Sequence, residues 1–364
     1  MEQQEIERVD RNLRVEATVN DPDIVWHDVR EAPFRVYGLY DYREQAVFCR
    51  MPQEVARTVS EGVETLAHNT AGGRVRFSTD ADRIAIRALM PKICRMPHMA
   101  LTGSVGFDLY LDDPESGVSR FVRAFVPPFH PKDGYESLIA LPSRKLRHFT
   151  IHFPLYSDVA ALSVGLPKGA TLGEGLTYRA ELPVVYYGSS ITQGGCASRP
   201  GNAYQNIVSR HLGLDHINLG FSGSGRGEDA MIDYLASLSM CVFVSDYDHN
   251  AHDAAHLERT HYKLYAAIRK AHPSIPYIML SKCDFDSDYE ANVCRRNVVF
   301  DTYRRAWADG DRNVYYIDGA SIFRGQELDS CTVDGTHPTD HGFVLMANAV
   351  EAELKRALTQ GLLL

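Results

Sequence analysis

The chain has 364 residues, of which 45% are hydrophobic and 23% charged, values typical of a soluble globular protein with room for two domains. Its net charge of −9, without a basic cluster, argues against a nucleic-acid partner or an anionic membrane surface. No stretch approaches the roughly 20 apolar residues of a membrane span, and the polar, acidic residues 1–6 do not resemble a signal peptide. Seven cysteines without paired spacing predict free thiols and a cytoplasmic location.

The first half of the sequence predicts short strands separated by turns. The clearest strand candidates are residues 75–78, 83–87, 107–111 and 149–153. Residues 83–87 alternate polar and apolar, as a half-buried antiparallel strand does, and residues 112–117 (Asp-Asp-Pro-Glu-Ser-Gly) form a strong turn signal. We therefore expect residues 1–175 to form an all-β, jelly-roll-like sandwich domain. The sequence leaves open whether this domain contacts a carbohydrate or only supports the second half.

From residue 183 onward the pattern changes to apolar runs that alternate with helical segments. The runs are residues 184–187, 216–219, 240–244, 277–280 and 314–317, and the helical segments lie near 203–212, 228–237, 255–271, 295–308 and 341–357. Strands that are apolar on both faces predict a parallel sheet covered by helices, an α/β fold for a domain of residues 180–364. The turn-rich residues 166–182 predict a linker. In such a sheet the site lies beyond the carboxyl ends of the strands.

Two short segments, whose Ser190 and His337 lie 147 positions apart, carry the candidate chemistry. Residues 188–192 read Gly-Ser-Ser-Ile-Thr after an apolar run, and residues 334–338 read Asp-Gly-Thr-His-Pro. Ser190 is the candidate nucleophile, His337 its base and Asp334 the acid that orients the base. The alternatives are a helix N-cap for Ser190 and a surface turn for Asp334 and His337.

Further blocks connect these two segments. They are residues 193–201 (Gln-Gly-Gly-Cys-Ala-Ser-Arg-Pro-Gly), 218–223 (Asn-Leu-Gly-Phe-Ser-Gly) and 246–250 (Asp-Tyr-Asp-His-Asn). In this order the blocks resemble those of the SGNH (GDSL-type) hydrolases. Residues 106–110 (Gly-Phe-Asp-Leu-Tyr) resemble the Gly-x-Asp-Leu-Tyr signature of a β domain that precedes one SGNH subgroup. The sequence departs from the commonest SGNH pattern in two places. Ser189 stands where Asp or Asn is usual before the nucleophile, and residues 246–250 lack the usual Gly-x-Asn-Asp.

The resemblance implies a flavodoxin-like SGNH hydrolase domain that works as a serine esterase through an acyl-enzyme. It also implies an oxyanion hole formed by the backbone N–H groups of Ser190 and Gly223 and the side-chain amide of Asn250. Glycine suits position 223 because the backbone there must approach the substrate closely. No metal or organic cofactor is implied.

The expected substrate is a small-molecule or oligosaccharide ester, with an acetyl group on a carbohydrate as the leading choice. The predicted site beyond the strand ends has three candidate substrate-binding residues nearby: Arg199, Arg226 and Glu228. A guanidinium offers several fixed donors to sugar hydroxyls. The alternative for Arg226 is an ion pair with Glu228. The sequence leaves open whether the chain forms a homo-oligomer.

Other functions compete with this interpretation. A lipase or thioesterase acting on a non-carbohydrate ester would use the same residues. His252 and His256, spaced four apart with His249 and His261 nearby, could belong to a zinc hydrolase, or simply to a solvated helix start. The glycine-rich residues 220–227 miss the dinucleotide-binding spacing, since Glu228 stands where the last glycine should be. An inactive, carbohydrate-binding relative is disfavoured because every expected chemical group is present.

Overall fold

The structure is a computed structural model that describes residues 9–10, 13–325 and 328–360. The polar segment 1–6, for which the sequence predicts no signal peptide, lies outside the described residues. Strands before residue 175 pair antiparallel and strands after residue 183 pair parallel, so the predicted α/β sheet preceded by an all-β part is confirmed. No helix in the described part combines the length and apolar composition that crossing a bilayer requires.

The first half consists of two antiparallel sheets. Its strands are β1 (Ile24–Asp28), β2 (Arg35–Tyr37), β3 (Arg74–Thr79), β4 (Arg83–Leu89), β5 (Phe107–Asp112), β6 (Ser119–Phe125), β7 (Gly134–Ala140), β8 (Arg147–His152), β9 (Ala161–Pro167) and β10 (Leu172–Glu174). One sheet has the order β1-β9-β4-β7; the other has the order β10-β3-β8-β5-β6, with β2 also on β3. Phe77, Phe107, Ile86 and Val164 share one buried cluster drawn from both sheets, which is the core of a sandwich.

Part of the predicted linker 166–182 is strand. β10 pairs with β3, because Leu172 lies opposite Thr79 and Glu174 lies opposite Phe77. The sequence missed this short strand because its turn residues, Gly169 and Gly173 among them, dominate the local pattern.

The first half also contains helices that the sequence did not predict. They are α1 (Gln53–Val59), α2 (Glu61–Leu66) and α3 (Leu101–Ser104). Ser60 separates α1 from α2 and caps α2 by accepting the N–H of Val63 at 3.2 Å. Ala56 of α1 and Val63 of α2 share a buried cluster with Tyr187 and Leu219 of the second half. These helices therefore cover one face of the parallel sheet.

The second half is a five-stranded parallel sheet with helices on both faces. Its strands are β11 (Val184–Gly188), β12 (His216–Gly220), β13 (Val242–Asp246), β14 (Tyr277–Leu280) and β15 (Val314–Ile317), in the order β12-β11-β13-β14-β15. Its helices are α4 (Ser190–Gln193), α5 (Tyr204–Leu212), α6 (Asp229–Ser237), α7 (Ala254–Ala271), α8 (Tyr289–Ala308), α9 (Leu328–Cys331) and α10 (Asp340–Gln360). Val184 and Tyr186 of β11 pack on one face, Val185 and Tyr187 on the other, as the two-residue period of a strand requires.

Candidate active site

The carboxyl end of β11 places Ser190 next to residues 334–338, which are named the histidine loop. Ser190 Oγ lies 2.9 Å from His337 Nε2, and His337 Nδ1 lies 2.8 Å from Asp334 Oδ2. Because an ionised carboxylate only accepts hydrogen bonds, Nδ1 carries the proton and Nε2 presents its lone pair to the Ser190 hydroxyl. The three side chains singled out by the sequence thus form one continuous chain of hydrogen bonds, the arrangement that activates a hydroxyl nucleophile.

Ser189, rather than Ser190, caps helix α4. Ser189 Oγ accepts the N–H of Ile191 at 3.2 Å, so the capping role is taken by the residue before the candidate nucleophile. Helix α4 is a single turn that ends at Gln193 and is followed by the C-cap residue Gly194, whose φ is 115°. Because so short a helix has only a small macrodipole, an oxyanion here depends on individual N–H donors.

The histidine loop holds its acid in the ionised form. Asp334 Oδ1 accepts the backbone N–H of His337 at 2.8 Å and that of Thr336 at 3.1 Å. Burial acts to raise the pKa of Asp334, but the hydrogen bonds from His337 and Thr336 outweigh it and lower the pKa below its ordinary value. The N–H of Cys196 donates to Pro338 O at 3.2 Å and ties this loop to the segment after α4. The tautomer of His337 is therefore fixed by its own loop.

The predicted oxyanion donors come from three strand ends that are neighbours in the sheet, those of β11, β12 and β13. Within the described residues, the backbone N–H groups of Ser190 and Gly223 have no acceptor. Gly223 has a φ of 65°, and a Cβ there would meet no atom within 4 Å, so the loop leaves space at this point. Asn250 Nδ2 donates one hydrogen to Phe221 O at 2.9 Å and has a second hydrogen to offer. Their role as oxyanion donors stays a prediction.

Arg199 joins the two halves of the chain. Its guanidinium is 20% exposed and donates to Asp108 Oδ2 at 3.2 Å and to the hydroxyl of Tyr110. Asp108 is fully buried and also accepts from His152 Nδ1 and from the N–H of Gly201, each at 2.8 Å. Asp108 and Tyr110 belong to the Gly-x-Asp-Leu-Tyr signature, so this signature anchors β5 to the loop that follows the candidate nucleophile. The predicted sugar contact of Arg199 competes with these partners.

Arg226 lies in residues 221–227, the loop after β12 that contains Gly223 and is named the oxyanion loop, whereas the carboxylate of Glu228 lies near the Tyr187 hydroxyl. Arg226 Nε donates to Gly223 O at 3.0 Å. Glu228 Oε2 accepts the backbone N–H of Arg226 at 3.2 Å and lies 3.5 Å from the Tyr187 hydroxyl, so the two side chains form no ion pair among the described contacts. Burial raises the pKa of Glu228. Arg226 is thus the better placed of the two for contact with substrate.

The histidines of the zinc alternative lie close together without a third ligand. The His252 and His256 rings are 5.5 Å apart, and His256 Nε2 donates to Arg226 O at 2.8 Å. Neither belongs to any set of three ligand atoms that the described side chains bring together. His261 is buried and pairs with Thr302 Oγ1 at 2.8 Å. The geometry therefore gives His252 and His256 no support as a zinc site.

Three side chains from the first half reach the site, and the sequence indicated none of them. The ring of His98 lies 5.6 Å from that of His337, measured between centroids. The hydroxyl of Tyr156 donates to Ser190 O at 3.1 Å. Asn69 Oδ1 accepts from Gln193 Nε2 at 3.0 Å, and Gln193 Oε1 in turn accepts the N–H of Ser222 at 3.0 Å.

These contacts link the sandwich to both sides of the candidate site. Gln193 lies in α4 beside the candidate nucleophile, and Ser222 lies in the oxyanion loop. No local pattern in the sequence could have indicated Asn69 or Tyr156, because each lies in an irregular loop and acts only through spatial proximity.

A hydroxyl, an imidazole and a carboxylate aligned at the strand ends of an α/β sheet define a serine hydrolase. Two family models match consecutive parts of the chain: residues 24–172 match the GxDLY N-terminus of SGNH-hydrolase-type esterases, and residues 181–355 match the GDSL-like lipase/acylhydrolase family. The chain belongs to the GDSL-like (SGNH) family, in the subgroup that carries the GxDLY domain.

Several solved structures share this two-part fold. A Bacteroides ovatus protein described as a GDSL-like lipase is 24% identical, with 92% of this chain and 98% of that chain covered and a TM-score of 0.82. A salicylyl-acyltransferase from a tetracycline biosynthetic pathway is 19% identical, with 93% of this chain and 98% of that chain covered and a TM-score of 0.74. An acetyl xylan esterase from Butyrivibrio proteoclasticus is 11% identical over 92% and 99%, with a TM-score of 0.57. No curated protein sequence matches the chain.

Proposed function

We propose that this protein is a serine esterase that removes a small acyl group, acetyl above all, from a carbohydrate. The observation that carries the proposal is the hydrogen-bond chain from Ser190 Oγ through His337 to Asp334, at 2.9 Å and 2.8 Å. Membership of the GDSL-like family supports an ester substrate.

The reaction follows from the positions of these groups. His337 Nε2 takes the hydroxyl proton as Ser190 Oγ attacks the ester carbonyl, and the tetrahedral oxygen is stabilised by the free N–H groups of Ser190 and Gly223 and by Asn250. His337 then returns the proton to the departing alkoxide, which leaves an acyl group on Ser190. Water, deprotonated by the same imidazole, releases the acid. Asp334 stabilises the imidazolium in both steps.

Exposure differs between the candidate nucleophile and the histidine loop. Ser190 is only 8% exposed, whereas the side chain of Asp334 is 37% exposed, which is compatible with a short acyl group at Ser190. Arg226 and His98 add polar groups near the candidate site. The acetyl xylan esterase of similar fold supports an acetylated carbohydrate by analogy.

A second candidate, acyl transfer to an alcohol, is favoured by the higher fold similarity to the salicylyl-acyltransferase. In that reaction an acceptor hydroxyl replaces water in the second step. Products formed from an acyl donor together with free sugar distinguish the two candidates, because transfer yields a new ester and hydrolysis yields acid.

The decisive experiment combines labelling with a substrate series. A fluorophosphonate should label Ser190 in the wild type and in the control Ser222→Ala, and nothing in Ser190→Ala, whose turnover should fall by several orders of magnitude. Acetate release from acetylated oligosaccharides should exceed hydrolysis of p-nitrophenyl esters, and activity should fall as the acyl chain lengthens. Labelling elsewhere would overturn the nucleophile. A preference for long chains would instead indicate a lipase or thioesterase.

We also propose a cytoplasmic location, which the seven free cysteines favour. Imported oligosaccharides, rather than intact polymer, would then be the substrate. Fractionation of cells that express the tagged chain tests this, since recovery from the medium or the membrane fraction would contradict it.

A further inference from the structure

A second group of polar side chains lies buried at the carboxyl end of β13 and in the residues that follow it. One ligand atom from each of Asp246, Asp248 and His249 lies within 4.8 Å of the other two. Asp246 is fully buried, and the side chains of Asp248 and His249 are 1% and 5% exposed. A carboxylate loses far more in such a place than at a surface unless a charge or a hydrogen bond compensates it.

One atom of each residue lacks a hydrogen-bond partner among the described residues. These atoms are Asp246 Oδ1, Asp248 Oδ1 and His249 Nδ1. His249 Nδ1 lies 3.4 Å from Asp248 Oδ1 but forms no hydrogen bond with it. Buried polar atoms are nearly always hydrogen-bonded, so three atoms without a hydrogen bond on neighbouring residues point to a further ligand, even though His249 Nδ1 and Asp248 Oδ1 lie within ion-pair distance of each other.

The other polar atom of each residue is held in place. Asp246 Oδ2 accepts from Thr192 Oγ1 at 3.0 Å and from the Tyr204 hydroxyl at 3.1 Å. Asp248 Oδ2 accepts the N–H of Lys282 at 2.9 Å. These bonds leave the remaining oxygen of each carboxylate free for that ligand.

The histidine is oriented in the same way. His249 Nε2 donates to Asp284 Oδ1 at 2.7 Å, so Nδ1 is the nitrogen that faces the two aspartates. A histidine that binds a metal typically donates its other ring N–H to a carboxylate in this manner, and carboxylate ligands are hydrogen-bonded in turn. All three residues therefore show the supporting bonds of a metal site.

We propose that Asp246, Asp248 and His249 bind a divalent cation of the first transition row, such as Mn²⁺ or Zn²⁺. Two carboxylate oxygens and one imidazole nitrogen suit these ions, while Mg²⁺ and Ca²⁺ prefer oxygen alone. The carboxylates of Asp246 and Asp248 belong to the cluster, whereas Asp284 lies on the other side of the imidazole and is paired with Lys282 Nζ at 3.1 Å. A cation would therefore offset the charge of the two clustered aspartates. The sequence predicted no metal, and this inference departs from that prediction.

Such a cation would stabilise the active site without taking part in the reaction. Asp246 is bonded to Thr192 in helix α4, two residues after Ser190. His249 precedes Asn250, one of the predicted oxyanion donors. A cation that fixes both segments would hold the nucleophile and the oxyanion loop in register, and this role does not depend on the substrate proposed above.

A proton is the competing occupant. Burial lowers the pKa of His249, but the nearby carboxylates of Asp284 and Asp248 outweigh it and raise the pKa to about 10. A protonated His249 would neutralise part of the cluster without any metal. Direct measurement of binding separates the two cases.

The test is metal binding to the full chain. After treatment with EDTA and desalting, the wild type should take up about one equivalent of Mn²⁺ or Zn²⁺, measured by inductively coupled plasma mass spectrometry after equilibrium dialysis. Its Tm should rise by several degrees, because a ligand that binds only the folded state stabilises it. Failure of the wild type to take up either ion would overturn the proposal and leave a proton or a water as the occupant.

Variants then locate the site. Asp248→Asn, which keeps the shape but weakens the ligand, should lower metal affinity at least tenfold and abolish the rise in Tm. Two controls remove other ligand groups: His252→Ala/His256→Ala removes the two neighbouring histidines, and His98→Ala/Cys196→Ser removes two atoms of a cluster that includes His337. Both controls should bind as the wild type does. Loss of binding in either control, or full affinity in Asp248→Asn, would overturn the assignment.

Discussion

The two halves of this chain contribute to the active site in different ways. The parallel sheet of the second half supplies every group proposed to react, at the ends of neighbouring strands and on the histidine loop. The antiparallel half supplies side chains that hold those groups: Tyr156 on Ser190 O, Asn69 on Gln193, and Arg50, whose guanidinium donates to Gly220 O at 2.6 Å. The first half thus contributes to positioning although it supplies none of the groups proposed to react.

This difference shows that the sandwich is more than an appended module. Ala71 and Leu155 of the first half lie in one buried cluster of the parallel sheet, and Met51 and Ala67 lie in the other. Deletion of residues 1–170 would therefore expose both hydrophobic cores of the second half, so it could not isolate the role of the sandwich. Single substitutions on either side of the contact test the comparison more cleanly.

The largest effect on the reactive side, after loss of Ser190 itself, is expected for Asp334→Asn. Asn would favour the wrong tautomer of His337, so kcat on p-nitrophenyl acetate should fall by roughly 10⁴ with unchanged circular dichroism. Asp329→Asn, an exposed acid on helix α9, is the matched control and should behave as the wild type. A kcat within tenfold of the wild type would mean that another group orients His337.

Asn250→Ala should cause the next largest loss of activity. Loss of one oxyanion donor typically lowers turnover by about 10²–10³, and the loss should fall on kcat. The free N–H groups of Ser190 and Gly223 would remain as donors. If KM alone changes, Asn250 binds substrate instead and the third sequence block differs from the family pattern in function as well as in sequence.

Arg199→Ala tests the contact between the halves. It leaves the buried carboxylate of Asp108 with fewer partners, so the free energy of unfolding should fall by about 3 kcal/mol in urea titrations. Arg226→Ala, at a guanidinium whose hydrogen bonds among the described residues are exposed ones to Gly223 O and His252, should leave stability nearly unchanged. Unchanged stability for Arg199→Ala, together with a higher KM for acetylated oligosaccharides, would restore Arg199 as a sugar contact.

The smallest effect is expected for Asn69→Ala, which removes the bridge to Gln193 and Ser222. A buried polar group left without a partner costs about 1–3 kcal/mol of stability, and kcat should fall by roughly tenfold with KM unchanged. Asn202→Ala, whose amide makes one long hydrogen bond of 3.4 Å to Ser198 Oγ, serves as control. An unaffected kcat in Asn69→Ala would restrict the first half to a purely structural role.

Periodicity in the sequence predicted most of the second half. The strands Tyr277–Leu280 and Val314–Ile317 have the predicted bounds, because fully buried strands are continuous apolar runs that turn residues interrupt. Helices α1 and α2 escaped prediction, since each has two turns or fewer and few apolar residues. They are stabilised by packing on Tyr187 and Leu219, which no local signal records.

The amino-acid sequence by itself determined the class of the protein and its candidate reactive residues. A nucleophile, a base and an acid must be particular residue types on particular short turns, so Ser190, Asp334 and His337 could be recognised from local motifs. Only the tertiary structure decided what holds them: Tyr156 and Asn69 near Ser190, the Asp108–Arg199 contact, and the buried Asp246, Asp248 and His249. The physical reason is that such contacts form between residues distant in the chain, and burial and distance exist only once the chain has folded.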